Sequence, residues 1–144
     1  MRFQTYLTTG DVKKLVSDKN LAKNLLQLAK LRLDKLLTAD FDKENAFQIV
    51  ERCYNVLKEL TDALLAIKGY KSYSHEAAIE FLREFYAKDL SMAGIEKIDK
   101  YRVLRNDIFY RGRTTTKQDA ELALKDVQAV STRLLELLKK EGIV

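Results

Sequence analysis

The segment Lys97 to Lys117, KIDKYRVLRNDIFYRGRTTTK, holds the side chains best suited to gripping an anion. It carries seven Lys or Arg and two Asp, an excess of five positive charges. The whole chain has the same excess, 26 basic residues against 21 acidic. Everything outside the segment is therefore balanced. A concentration of charge on this scale is the footprint expected for a phosphate-bearing partner. Within it, Arg105 falls on the line Ile98, Tyr101, Arg105, Ile108, where a helix facing a core carries apolar residues. A guanidinium there has to be paired or has to line a cleft, because bare burial is costly. Asn106 and Tyr110 are four apart and share a helix face. Arg102 stands one turn before Arg105, and Arg111, Arg113 and Lys117 follow it. As a set, these four cations suit contact with an RNA backbone without reading its sequence. They suit equally well an acidic partner protein, or pairing with Asp119 and Glu121 of the next helix. Tyr101, Phe109 and Tyr110 lie among the cations, where aromatic rings can stack bases, although Tyr101 is expected in the core.

Other chemistry is sparse. His75 is the only histidine and Cys53 the only cysteine. That excludes an intramolecular disulfide and a zinc cluster, and no metal or cofactor is expected. Cys53 is expected to pack as a small apolar residue. Two roles are open to His75. The plainer is a structural first-turn residue, exposed or half-buried. The other has it folding over toward Arg105.

The elements that must position these residues are helical. Proline is absent from 144 residues and glycine occurs five times, whereas Leu, Lys, Glu and Ala are abundant. With 47% apolar and 33% charged residues, the chain reads as one folded domain, residues 1–144. No apolar run follows Arg2, and the longest such run, Ala63 to Ile67, is too short for a bilayer, so a cytoplasmic protein without membrane contact is expected. Residues 1–10 show no readable pattern and are expected to be loosely ordered. Asp11 to Ser17 suggests a short helix. Asp18 is placed to cap a helix running to about Leu37, with Ala22, Leu26, Ala29, Leu33 and Leu36 inward. Asp42 is placed to cap the next, where Ala46, Val50, Cys53, Leu57, Leu60, Leu64 and Ile67 alternate by four and three. This line marks a helix packed lengthwise in a bundle, and Gly69 ends it. Tyr70 to Tyr73 reads as a connector. Ser74 caps a helix with Ala78, Phe81, Leu82 and Phe85 inward. Ser91 caps the helix bearing the basic segment, which turns at Gly112. Thr116 caps the last, with Ala120, Leu124, Val127, Leu134 and Leu137 inward. No strand is expected. The fold class is all-α, an antiparallel bundle of four to five helices with short links.

Leu104-Arg105-Asn106-Asp107-Ile108-Phe109-Tyr110-Arg111-Gly112 resembles the signature of the HEPN domain: Arg, a polar residue that is often Asn, a few variable residues, then His. The stretch Leu64 to Leu82, LLAIKGYKSYSHEAAIEFL, is similar to the middle-helix junction of that family, and helix number and order agree. The resemblance implies a small bundle, commonly a homodimer whose two Arg/His motifs meet in a cleft. Many members are metal-independent ribonucleases and toxins. Many are paired with a minimal nucleotidyltransferase, which in some cases adenylylates a tyrosine near the motif. Others bind nucleotides or serve as a companion subunit. Carried over, Arg105 would neutralise phosphate charge and Asn106 would orient the site; two arginines meeting across a two-fold need an anion between them or a carboxylate nearby, for which Asp107 is the local candidate. The sequence departs at the histidine: Tyr110, Arg111 and Gly112 occupy its permitted positions. Tyr110 takes the nearest one, but a phenol with a pKa of ~10 is ionised only about one part in a thousand at neutral pH. It is better suited to donating a hydrogen bond or to being modified.

Overall fold

The four-three line from Ala46 to Ile67 becomes the axis of the molecule. A computed structural model describes residues 2–143 and shows helices α1 (Phe3–Thr9), α2 (Lys19–Leu37), α3 (Ala46–Lys68), α4 (His75–Arg111) and α5 (Lys117–Lys140). Two short strands, β1 (Val12–Lys14) and β2 (Tyr70–Ser72), complete it. Every residue of the line is buried, and so are Ile49, Tyr54, Val56, Leu65 and Ala66 around it. A helix apolar on nearly all sides has to be enclosed, and α2, α4 and α5 pack around α3. The all-α bundle is the observed architecture. Among the described residues no helix is long and apolar enough to cross a membrane.

The caps fall largely where local chemistry puts them. Asp18 Oδ1 accepts from the Leu21 amide at 2.9 Å, and Ser74 Oγ accepts from Ala77 at 3.3 Å. Thr116 and Asp119 form a reciprocal capping box at 3.0 and 2.9 Å. Gly69 closes α3 with φ +80°. Asp42 does not cap α3, contrary to expectation. It accepts from the amides of Glu44 and Asn45 and closes the turn just before the helix, which starts after Asn45.

The segment after α1 is extended, not helical as the sequence suggests, and Tyr70–Ser72 is its strand partner rather than a plain connector. The register pairs Val12 with Ser72 and Lys14 with Tyr70, antiparallel. The reason lies at the end of α3, whose last carbonyls have no partner inside the helix. Asp18 N–H donates to Ala66 O, Ser17 Oγ to Ile67 O, Lys14 Nζ to Lys68 O and Leu15 N–H to Gly69 O. Only an extended chain can deliver four donors in succession. Residues 3–9, expected to be loose, form a helix anchored by buried Phe3 and Tyr6. The Phe3 ring lies 5.1 Å from Tyr70 and 5.7 Å from Phe81.

The α4 helix is two arms. Its backbone leaves helical geometry at Tyr86 and again at Ser91, where φ is 63° and ψ 160°. Ser91 Oγ then caps the second arm by accepting from Gly94 N, as its position suggests. Arg133 Nη1 donates to the Leu90 carbonyl at 3.0 Å. The arms double back on each other. Glu76 Oε1 lies 3.7 Å from Arg102 Nη1, whereas in an unbroken helix the two would stand about 39 Å apart at 1.5 Å per residue.

Candidate phosphate-binding site

On the second arm the buried line is Ile95, Ile98, Tyr101 and Leu104. Leu104 takes the core position expected for Arg105, and Arg105 turns to the rim, half-buried. The one-residue shift is what electrostatics favours, since a leucine gains from burial and a guanidinium loses its hydration. Tyr101 is in the core as expected, and its hydroxyl donates to Asp126 Oδ2 at 2.5 Å. Asp126 is held in turn by Lys97 at 3.4 Å.

Arg105 pairs with no carboxylate among the described residues. Its Nη1 makes a single long contact, 3.5 Å, to Asn106 Oδ1, and its guanidinium lies 5.1 Å from the Phe109 ring centroid. The other cations are differently placed. Arg102 is enclosed, with its side chain 15% exposed, and is held by Asp99 at 2.7 Å and Glu76 at 3.7 Å. It ties the two arms of α4 together, and its charge is already balanced. Arg111 and Arg113 share Asp107, at 3.9 and 3.8 Å, rather than reaching Asp119 or Glu121. Gly112, with φ +62°, turns the chain so that Arg113 N also donates to Asp107 O. Lys117 is exposed and makes no ion pair among the described residues. Asn106 is half-buried beside Arg105. Tyr110 is not drawn in with them. It is 73% exposed and meets Phe109 edge-on, with centroids 5.0 Å apart.

His75 stands at the start of the first arm, next to Glu76, which reaches Arg102 of the second arm. Its Nδ1 is 2.7 Å from Tyr54 Oη. Burial lowers its pKa first, and the charges of Lys58 and Arg105 lower it further, against Asp62. Burial also raises the Tyr54 pKa, with Arg102 and Arg105 opposing. His75 borders a cavity of about 200 Å³ that is also lined by Lys58, Asp62, Ser72, Tyr73 and Ser74. Lys58 and Asp62 are joined at 2.8 Å. A larger groove of about 350 Å³ adjoins it, sharing Lys58, Asp62 and Ser72, and its wall includes Leu15, Leu21, Leu25 and Leu65.

Sequence reasoning passed over Tyr54, Lys58 and Asp62. Their signal was available, because steps of four put one polar stripe on an otherwise apolar helix. The arrangement offers one uncompensated guanidinium and one near-neutral imidazole on neighbouring arms. The guanidinium is suited to holding a phosphate. Among the described residues no group of three or more His, Cys, Asp or Glu is placed to hold a metal ion. No family model, no curated protein and no solved structure matches the chain.

Proposed function

We propose that this chain is a HEPN-type helical module that holds RNA by its phosphate backbone, as the partner of a minimal nucleotidyltransferase in a toxin–antitoxin-like pair. The observation that carries this reading is Arg105: a half-buried guanidinium without a carboxylate, on a rim whose other arginines are paired. A cation left uncompensated at a partly dry site is stabilised by an arriving anion. Asn106 sits beside it, while Arg111, Arg113 and Lys117 supply exposed charge along the neighbouring turn. The resemblance of Leu104 to Gly112 supplies the family, and a homodimer with two such rims facing each other belongs to the same reading. The test is RNA affinity as a function of salt for the parent protein and Arg105→Ala. Loss of affinity in the variant is the expected result, and equal affinity would sink the assignment.

A second reading, as a non-catalytic companion of the nucleotidyltransferase, is favoured by the exposure of Tyr110. A phenol this open, at the end of a helix, is accessible to a nucleotidyl donor site. Incubation with the transferase and ATP should then add one AMP to the intact mass, and Tyr110→Phe should abolish the addition. No added mass on the parent protein would remove this reading.

A further inference from the structure

We propose that the outward face of the two-stranded ribbon, β1 with β2, is a second contact for single-stranded RNA, with a base stacked on Tyr73 and phosphates held by Lys13 and Lys71. This rests on the RNA-binding reading and adds a site that contains none of the residues around Arg105.

The ribbon register sets Lys13 directly opposite Lys71, and both are exposed. Like charges that face each other across two strands are destabilising, so the ribbon gains nothing for itself from this pair. Neighbouring lysines are engaged. Lys14 Nζ donates to the Lys68 carbonyl at 3.0 Å and lies 4.1 Å from the Tyr70 ring centroid, and Lys68 Nζ is 3.7 Å from Glu141. Lys13 and Lys71 make no ion pair among the described residues. What they share is the ring of Tyr73, with their Nζ atoms 5.5 and 5.3 Å from its centroid. That ring is open to solvent, 58% exposed, although the backbone beneath it is fixed: Tyr73 N–H donates to Asp11 O at 2.7 Å. The Asp11 carboxylate accepts from Thr9 Oγ1 at 2.8 Å and pairs with neither lysine.

An open ring between two uncommitted cations is the chemistry of a single-strand site, where phosphates meet the cations and a base stacks on the ring. Both ammonium groups stand near the ~6 Å limit of a cation–π contact, and a lysine stem is flexible. Each can swing from the ring to a phosphate, which frees the ring for a base and relieves the repulsion between the lysines. The ring itself needs no rearrangement. Val12 is buried beneath the ribbon, and Lys14, Leu15, Ser17 and Asp18 tie the chain to the end of α3. Stacking of this kind tolerates any sequence, because every base has a π-face. The apolar tip beside the lysines, Leu15 and Val16, is also exposed. Adsorption to an anionic lipid surface takes clusters of about four to eight basic residues, and this face offers only the one uncommitted pair, which favours a nucleic acid.

The experiment is a fluorescence anisotropy titration with a labelled oligouridylate and with an abasic ribose-phosphate strand of the same length. The parent protein is compared with Tyr73→Ala, Tyr73→Phe, the double variant Lys13→Gln with Lys71→Gln, and Arg105→Ala. Tyr73→Ala should raise Kd for the oligouridylate about 10-fold and leave the abasic strand unaffected. Tyr73→Phe keeps the ring and should bind as the parent does. The double lysine variant should weaken both strands and flatten the dependence of log affinity on log salt by about 1.4, or about 0.7 for each phosphate released. Circular dichroism of each variant separates loss of contact from loss of fold. Parental affinity in folded Tyr73→Ala or in the folded lysine variant, with Arg105→Ala weakened, would overturn the ribbon site and leave the RNA-binding reading standing. An equal loss by Tyr73→Ala on the abasic strand would overturn it as well, since no base would then be stacked. Absence of RNA binding by the parent would overturn both, and sedimentation of that protein with phosphatidylserine vesicles would assign the face to a lipid surface instead.

Discussion

Arg102 and Arg105 lie on one face of one helix, yet their surroundings predict opposite consequences for removing them. Arg102 holds two carboxylates and has only 15% of its side chain exposed. Its removal loses an in-helix pair with Asp99, the tie to Glu76 and the packing of its aliphatic stem. Because Glu76 is 64% exposed, that tie is heavily screened. A loss of about 1–2 kcal/mol is expected for Arg102→Ala, which lowers Tm by roughly 2–4 °C per kcal/mol in a chain of this size. Arg105 has no ion pair to lose. Arg105→Ala is expected within about 0.5 kcal/mol of the parent in stability. On the RNA-binding reading its effect is on affinity: a charge-assisted phosphate contact contributes about 1.5–3 kcal/mol, so Kd should rise roughly 10- to 100-fold. One phosphate contact fewer also flattens the dependence of log affinity on log salt by about 0.7 for a single strand. Thermal melts and anisotropy titrations at about 50 and about 200 mM salt read both quantities, and a slope change of about 0.7 amounts to about 2.6-fold over that range. If Arg102→Ala loses RNA affinity at parental stability while Arg105→Ala binds normally, the assignment of roles from ion pairing is refuted.

Gly69→Ala should be far more damaging than Gly112→Ala, although both glycines have positive φ. A Cβ at Gly69 would meet the Leu15 carbonyl at 2.6 Å and Ser17 N at 3.2 Å, whereas at Gly112 it meets open space. Gly112→Ala should cost about 1 kcal/mol of left-handed strain, and Gly69→Ala clearly more, as chemical denaturation would show. Acid stability offers a clean test of the His75 surroundings, because it is the only histidine in the chain. Its folded pKa lies below the free value of 6.5, so the unfolded chain takes up the proton first. The stabilising contribution is full above 6.5 and fades as pH falls, until the folded state also protonates. His75→Gln should flatten the denaturation midpoint just below that pH; a parental pH dependence in the variant would show that His75 is not held neutral.

What the sequence disclosed and what it hid divide along the range of the forces involved. The line from Ala46 to Ile67, the caps at Asp18, Ser74, Ser91 and Thr116, and the turns at Gly69 and Gly112 are written in neighbouring residues, and all of them appear. The β ribbon was illegible because its cause is remote: Val12 to Ser17 is extended in order to satisfy carbonyls at the end of α3. Periodicity alone allowed either Leu104 or Arg105 to face inward, and only the unequal cost of burying them decides. The pairing of His75 with Tyr54 was hidden for a further reason, since it joins the start of α4 to the middle of α3. Ser91 sits in a backbone region that side chains rarely adopt, at a cost of about 1–3 kcal/mol. The Arg133 bond to Leu90 and the Ser91 cap on Gly94 offset that cost. A helix advances about 100° per residue. Moving the break by one position would therefore turn a different face of the first arm toward the second, and the Glu76–Arg102 pair would be lost.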